Sequence, residues 1–319
     1  MNKQRSLLDY EDTYNLRGIV MLMIIVGHSF LRYPVGDEAY YFPSWLSRLH
    51  MELWGSLGVS VFLFLSGYGL FLSLSKRAGT IDKKYLLSKV SRLCEPLVIY
   101  WIVELPVLFI FSRNELTPQI FWEIITFSIH PHLDNWFFKV IVATYIVTIC
   151  LFKSRLSQGK IVIALFAATF FYMVTMAALG FGEWWFNTIL CFPLGALVAY
   201  KYDAFEKLPT LVVCSAALLV IAMLYLAFYN RIVLHIAFVF LCIYLLRLVK
   251  IRSRLLFFIG MNSLVFYFMA NPVYYHLMRF SYTNFPLFCL LSIVGTFILS
   301  WLCVTLFRPS CRGRGCGSQ

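Results

Sequence analysis

The chain has 319 residues, 61% hydrophobic and 13% charged, with a formal net charge of +12. Soluble domains carry about a quarter charged residues, so this composition excludes a soluble enzyme and predicts an all-α, polytopic membrane protein. The positive charge reads as basic cytoplasmic loops rather than a nucleic-acid surface, and no nucleic-acid partner is expected.

Residues 1–15 are polar and mixed in charge, and no small-residue cleavage site follows the first apolar run, so a cleavable signal peptide is not expected. Ten apolar runs follow, at 16–33, 53–75, 93–111, 136–152, 161–179, 185–200, 209–229, 232–247, 255–277 and 286–306. The runs 209–229 and 232–247 are split only by Asn230-Arg231, which predicts a tight helical hairpin. With the N-terminus placed in the cytoplasm, 21 of the 27 Lys and Arg fall on inner segments, loop after loop. Both tails, 1–15 and 308–319, are therefore expected inside, and residues 1–319 read as one integral-membrane domain in the bilayer. The segment 112–135 is too polar to span; it reads as a short amphipathic helix over 118–129 at the outer interface, or as an ordinary loop. All six histidines fall on or near the outer side in this topology. Seven of the nine cysteines sit in or at the ends of apolar runs, as small hydrophobes, and Cys311 and Cys316 in the tail match no zinc spacing.

Five constellations carry candidate chemistry. The first run opens on Arg17 and holds His28 ten intervening residues later. On a helix that is a rise of about 16–17 Å. An ionisable residue inside a membrane helix is expensive and marks a functional site by default, and an imidazole suits a general base near neutral pH. The second run contains Gly55, Ser56, Gly58, Ser60, Ser66, Gly67 and Gly69, small residues that let helices approach, around Tyr68, with Gly67 open to a second reading as a local unwinding. The basic segment with Lys84, Lys89 and Arg92 suits a phosphate-rich cytoplasmic ligand or, equally, anionic lipid. The run His130-Pro-His132-Leu-Asp134-Asn135-Trp136 reads as a substrate-binding lip rather than a metal site. Asn262 and Ser263 read as a cap opening the ninth run at the cytoplasmic face, and Asn271-Pro272 as a break in its outer half.

Together these residues resemble the membrane-bound acyltransferase family 3, the multi-spanning enzymes of O-antigen and exopolysaccharide acylation. The resemblance runs from Asn15 to about Pro272. An Arg-x10-His helix matches Arg17 and His28, and a Gly-Val-x-Val-Phe-Phe-x-x-Ser-Gly-Tyr/Phe helix matches Gly58 to Tyr68. An Arg-x-x-Arg motif before a proline becomes Lys89-x-x-Arg92, which keeps charge but loses one bidentate fork. A His-x-Trp-Phe-Leu motif is matched loosely by His132 and Trp136-Phe137. A Gly-x-Asn-Ser-Leu-x-x-Tyr-x-x-His run matches Gly260, Asn262, Ser263 and Tyr267, with Ala270 where the family has histidine.

The resemblance implies a ten-helix bundle that transfers an acyl group, acetyl above others, from cytoplasmic acyl-CoA to a hydroxyl of a cell-surface or exported carbohydrate. The donor is a substrate; no bound cofactor and no metal are expected. His28 is then the general base, and Arg17, Lys84, Lys89 and Arg92 hold the donor's phosphates. Glu52, Ser66, Gly67, Tyr68, His132, Trp136, Asn262, Ser263 and Tyr267 support the site. A bacterial-type inner membrane is the expected location. A transporter or flippase without acyl chemistry is the alternative, opposed by the lack of an internal repeat; a membrane sensor using the same bundle is a third.

Overall fold

The computed structural model describes residues 8–33, 44–77, 81–111, 117–118, 136–154, 156–226, 230–278 and 285–308, with main chain alone at 44–54, 83–84, 111 and 225–226. Every regular element among them is helical: α1 (Tyr10–Arg32), α2 (Ser44–Ser75), α3 (Lys83–Phe111), α4 (Trp136–Lys153), α5 (Gln158–Ala178), a 3-10 turn (Glu183–Trp185), α6 (Cys191–Tyr200), α7 (Tyr202–Glu206), α8 (Thr210–Leu226), α9 (Arg231–Leu248), α10 (Arg254–Met261), α11 (Ser263–Met278) and α12 (Phe285–Phe307). Large apolar side chains lie exposed along whole helices, such as Ile163, Phe170 and Phe171 on α5 and Leu211, Val212 and Leu219 on α8. Hydrocarbon, not water, suits such surfaces, so the chain is a multi-pass membrane protein.

Each of the ten apolar runs lands on helix, but they are not equivalent. Among the described residues seven helices are long and apolar enough to cross, or eight if α10 and α11 count as one broken span. The run 185–200 yields only the ten-residue α6, about 15 Å long against roughly 30 Å of hydrocarbon. The polar Asn187 and Thr188, both buried, interrupt its first part. The run 255–277 breaks at Asn262, not at Pro272 as expected. Pro272 lies inside a continuous α11, whereas the Asn262 carbonyl accepts from Val265 N at 2.8 Å and Phe266 N at 3.1 Å, starting a new helix. The hairpin expected around Asn230 is present: α8 packs on α9, and Asn230 Oδ1 accepts from Val233 N at 3.2 Å as an N-cap. The interfacial helix expected over 118–129 lies almost wholly outside the described residues.

The chain folds as two compact units, each discontinuous in sequence. The first takes Met1–Ile24, Glu52–Ser88 and Trp136–Met261; the second takes Ile25–Met51, Lys89–Asn135 and Asn262–Gln319. In the first unit two reciprocal glycine contacts bring backbones together. A Cβ on Gly67 of α2 would strike the Phe192 carbonyl of α6, and one on Gly195 of α6 would strike the Phe64 carbonyl of α2. Gly18 of α1 and Gly260 of α10 meet the Leu256 and Tyr14 carbonyls in the same way. Gly67 thus serves close packing within an unbroken α2, and the unwinding reading falls away. The start of α1 is clamped to the segment before α10: Lys250 Nζ lies 3.2 Å from Asp9 and 3.7 Å from Asp12, and Asn15 Oδ1 accepts from Ser253 N at 3.2 Å. In the second unit α11 packs on α12 around buried Tyr100, Phe266, Phe268 and Phe288. Arg308, just past α12, donates to Glu95 of α3 at 2.7 Å and to Asn262 Oδ1 at 3.2 Å.

Candidate functional site

Arg17 belongs to the first unit. Its guanidinium lies over the Tyr14 ring, 5.5 Å from the centroid, and its Nε is buried with no hydrogen-bond partner. Tyr145 of α4 lies within interaction range of Arg17, of the Ser66 hydroxyl on α2, and of Tyr14 and Tyr85. Tyr85 in turn shares a 2.6 Å hydrogen bond with Ser73 and sits under Arg77 at 4.9 Å. Arg17 thus meets a ring of α1 and a tyrosine of α4, and Tyr145 links it on to Ser66 of α2 and Tyr85 of α3, with no carboxylate among these contacts. A cation so placed, holding back an unused N–H, suits an anionic ligand rather than a structural ion pair.

His28 belongs to the second unit and is half-buried. Its ring stacks on Tyr274 of α11, with centroids 6.4 Å apart and planes 19° from parallel. The Tyr274 hydroxyl is not spare: it donates to the Ile25 carbonyl at 2.8 Å, and Ser29 Oγ donates to the same carbonyl at 2.9 Å. Tyr274 is thus pinned, and its face fixes the plane of the imidazole. An imidazole of fixed plane suits proton transfer along one direction.

The remaining expected residues divide as follows. Lys89 is half-buried and Arg92 exposed, both on α3 in the second unit, while Lys84 and Glu52 are described in their main chain alone. Ser66 is buried beside Tyr145, and Tyr68 is buried with its ring stacked on Phe64 at 6.4 Å. Trp136 is buried against Trp185 at 6.2 Å. His132, with His130 and Asp134, lies outside the described residues. Asn262 sits at the α10–α11 break, tied to Arg308, and Ser263 opens α11; Tyr267 is buried edge-on to Phe268 at 5.5 Å. Ala270 and Asn271 are both buried on α11, so no histidine joins His28 from that position.

Sequence reasoning missed Tyr14, Tyr145 and Tyr274, which the aromatic content of the runs hid. It also missed a bond between His235 Nε2 of α9 and Ser56 Oγ of α2, at 3.1 Å. His235 was visible only as one of six histidines, and Ser56 only as a small packing residue.

No curated protein and no solved structure matches the chain. A family model described as an acyltransferase domain, that of acyltransferase family 3, matches residues 14–305. The match takes in Arg17, His28, the basic start of α3 and the Asn262 break. Spanning nearly the whole sequence and a bundle of apolar, membrane-crossing helices, it shows that the chain belongs to acyltransferase family 3 and is a membrane-bound acyltransferase.

Proposed function

We propose that the protein is an O-acyltransferase of a bacterial-type cytoplasmic membrane, moving an acyl group, acetyl above others, from cytoplasmic acyl-CoA to a hydroxyl of a cell-surface or exported carbohydrate. The observation that carries this reading is that Arg17 and His28 stand on one unbroken helix, eleven residues apart. Their rise of about 16–17 Å is close to the reach of an extended pantetheine arm, roughly that of five extended residues. The positive-inside bias of the loops supports Arg17 at the cytoplasmic end and His28 in the outer half.

Arg17 holds a CoA phosphate with the N–H that has no protein partner, and Lys84, Lys89 and Arg92 add charge at the start of α3. The pantetheine arm brings the thioester toward the outer half. His28 accepts the proton of the acceptor hydroxyl as its oxygen bonds to the thioester carbonyl carbon. Collapse of the tetrahedral species breaks the C–S bond, and the thiolate leaves and takes up a proton. Tyr274 keeps the imidazole plane fixed through these steps. The test compares surface glycans by mass spectrometry in cells with and without the protein. One added acyl group per repeat is expected only with it. In membranes, His28→Ala should lower turnover on the order of 10²- to 10⁴-fold. Wild-type turnover in that variant would sink the assignment of the base.

A further inference from the structure

The first unit contains a second pair of reactive groups that neither Arg17 nor His28 uses. Ser56 and His235 are 179 residues apart in sequence, yet Ser56 Oγ lies 3.1 Å from His235 Nε2. The two differ in access: His235 is 1% exposed, whereas Ser56 is half-buried. The other ring nitrogen, Nδ1, is buried with no hydrogen-bond partner, and the main chain of Asn187 lies within interaction range of the ring. With the proton on Nδ1, Nε2 is the acceptor that takes a proton from a serine hydroxyl.

A packing role alone accounts poorly for the pair. One hydrogen bond between α2 and α9 needs only two small hydroxyls, whereas a buried imidazole must have two nitrogens desolvated. Asn187, whose main chain reaches the ring, holds a further polar atom out of water: its Oδ1 is buried with no hydrogen-bond partner. It is an acceptor suited to an N–H of the pantetheine arm or to a hydroxyl.

The position along the bundle also fits. Gly58 of α2 packs on the Val20 carbonyl and the Ile24 side chain of α1, while Ser66 shares Tyr145 with Arg17. The two helices therefore run antiparallel, and Ser56 lies beyond Gly58, away from Arg17. Ten residues of α2 separate Ser56 from the level of Ser66, about 15 Å. A thioester whose CoA phosphates rest on Arg17 reaches that depth.

We infer that Ser56, with His235 as its base, receives the acyl group as a serine ester before it passes to the carbohydrate. This rests on the acyl-CoA donor of the proposed function. In the first half-reaction Ser56 Oγ bonds to the thioester carbonyl carbon while its proton moves to His235 Nε2. The C–S bond then breaks, and the thiolate takes the proton from His235 as CoA leaves. In the second, the acceptor hydroxyl adds to the ester carbonyl carbon, and its proton is relayed through the general base to Ser56 Oγ as the bond between that oxygen and the acyl carbon breaks. The relay lets CoA leave before the acceptor binds.

The full-length protein in lipid nanodiscs, mixed with radiolabelled acetyl-CoA and no acceptor, tests this. Rapid quench and peptide mass analysis should find one acetyl group on the Ser56 peptide and a burst of about one free thiol per protein. Ser56→Ala should take no label and lose turnover by about a hundredfold or more. Ser56→Cys should take label as a thioester removed by neutral hydroxylamine, which separates a lost nucleophile from a misfolded protein. His235→Ala should label slowly, and His28→Ala should label but fail to discharge onto acceptor. A wild type that transfers acetyl without ever labelling Ser56, or a Ser56→Ala variant with wild-type turnover, overturns this inference alone. A wild type that neither labels nor transfers from acetyl-CoA overturns the donor reading and this inference with it.

Discussion

An arginine side chain with a buried, unused N–H is unusual, because buried polar atoms in folded proteins are nearly always paired. Arg17 should therefore act on donor binding more than on chemistry. Arg17→Ala should raise the KM for acyl-CoA about 10- to 100-fold with kcat little changed, the effect of one charge-assisted hydrogen bond. Arg17→Lys should recover only part of this, since an ammonium keeps the charge and loses the planar fork. Steady-state kinetics in membranes with varied acyl-CoA decide it; a kcat loss at constant KM would count against a donor role. Arg17 and His28 were legible in the sequence because each stands out in an otherwise apolar run. Their neighbours were not. Periodicity tells which residues share a helix face but not which face meets which helix, so Tyr145 beside Arg17 and Tyr274 beneath His28 emerge only from the packing. The Ser56–His235 bond joins two runs that nothing in the order of residues couples.

Helices were the most legible feature, and their ends and breaks the least. Proline is the strongest local punctuator, so Pro272 drew the expected break, yet α3 also continues through Pro96 and Pro106. Membrane helices tolerate proline where neighbours re-satisfy the freed carbonyls, and the break falls instead where Asn262 is engaged by Arg308. Glycines separate the same way, by what surrounds them. Gly67→Ala must push α2 off the Phe192 carbonyl, and should lower stability by about 1–3 kcal/mol. Gly69, two residues on, has nothing within 4 Å of where a Cβ would stand. Gly69→Ala should be neutral or stabilise by up to about 1 kcal/mol through helix propensity. Thermal unfolding of both variants in detergent checks the pair; equal effects would contradict the α2–α6 contact.

At the scale of the whole molecule, neither unit is continuous in sequence, and each has its own ties between distant segments. In the first unit Asp9 is such a tie. Burial acts to raise the pKa of its carboxyl, but the Asp12 main-chain N–H and the Lys250 ammonium outweigh it and hold the group below its ordinary 3.8. A carboxyl held low in the folded state binds fewer protons there than in the unfolded state. Its contribution is therefore full above pH 3.8 and is lost as pH falls through the lowered value. Asp9→Asn should lower the melting temperature at neutral pH, where the contribution is full, and converge on wild type toward about pH 2, which flattens the acid side of the profile. A variant that matches wild type at neutral pH would refute the clamp. In the second unit Arg308 reaches back 213 residues to Glu95. At roughly 5–20 residues per second of synthesis, Glu95 waits about 10–40 s for that partner. The N-terminal half of α3 and the Asn262 break thus pass through a span of nascent life in which other cations, lipid or protein, have first claim on them, and the second unit closes only when its last helix has been made.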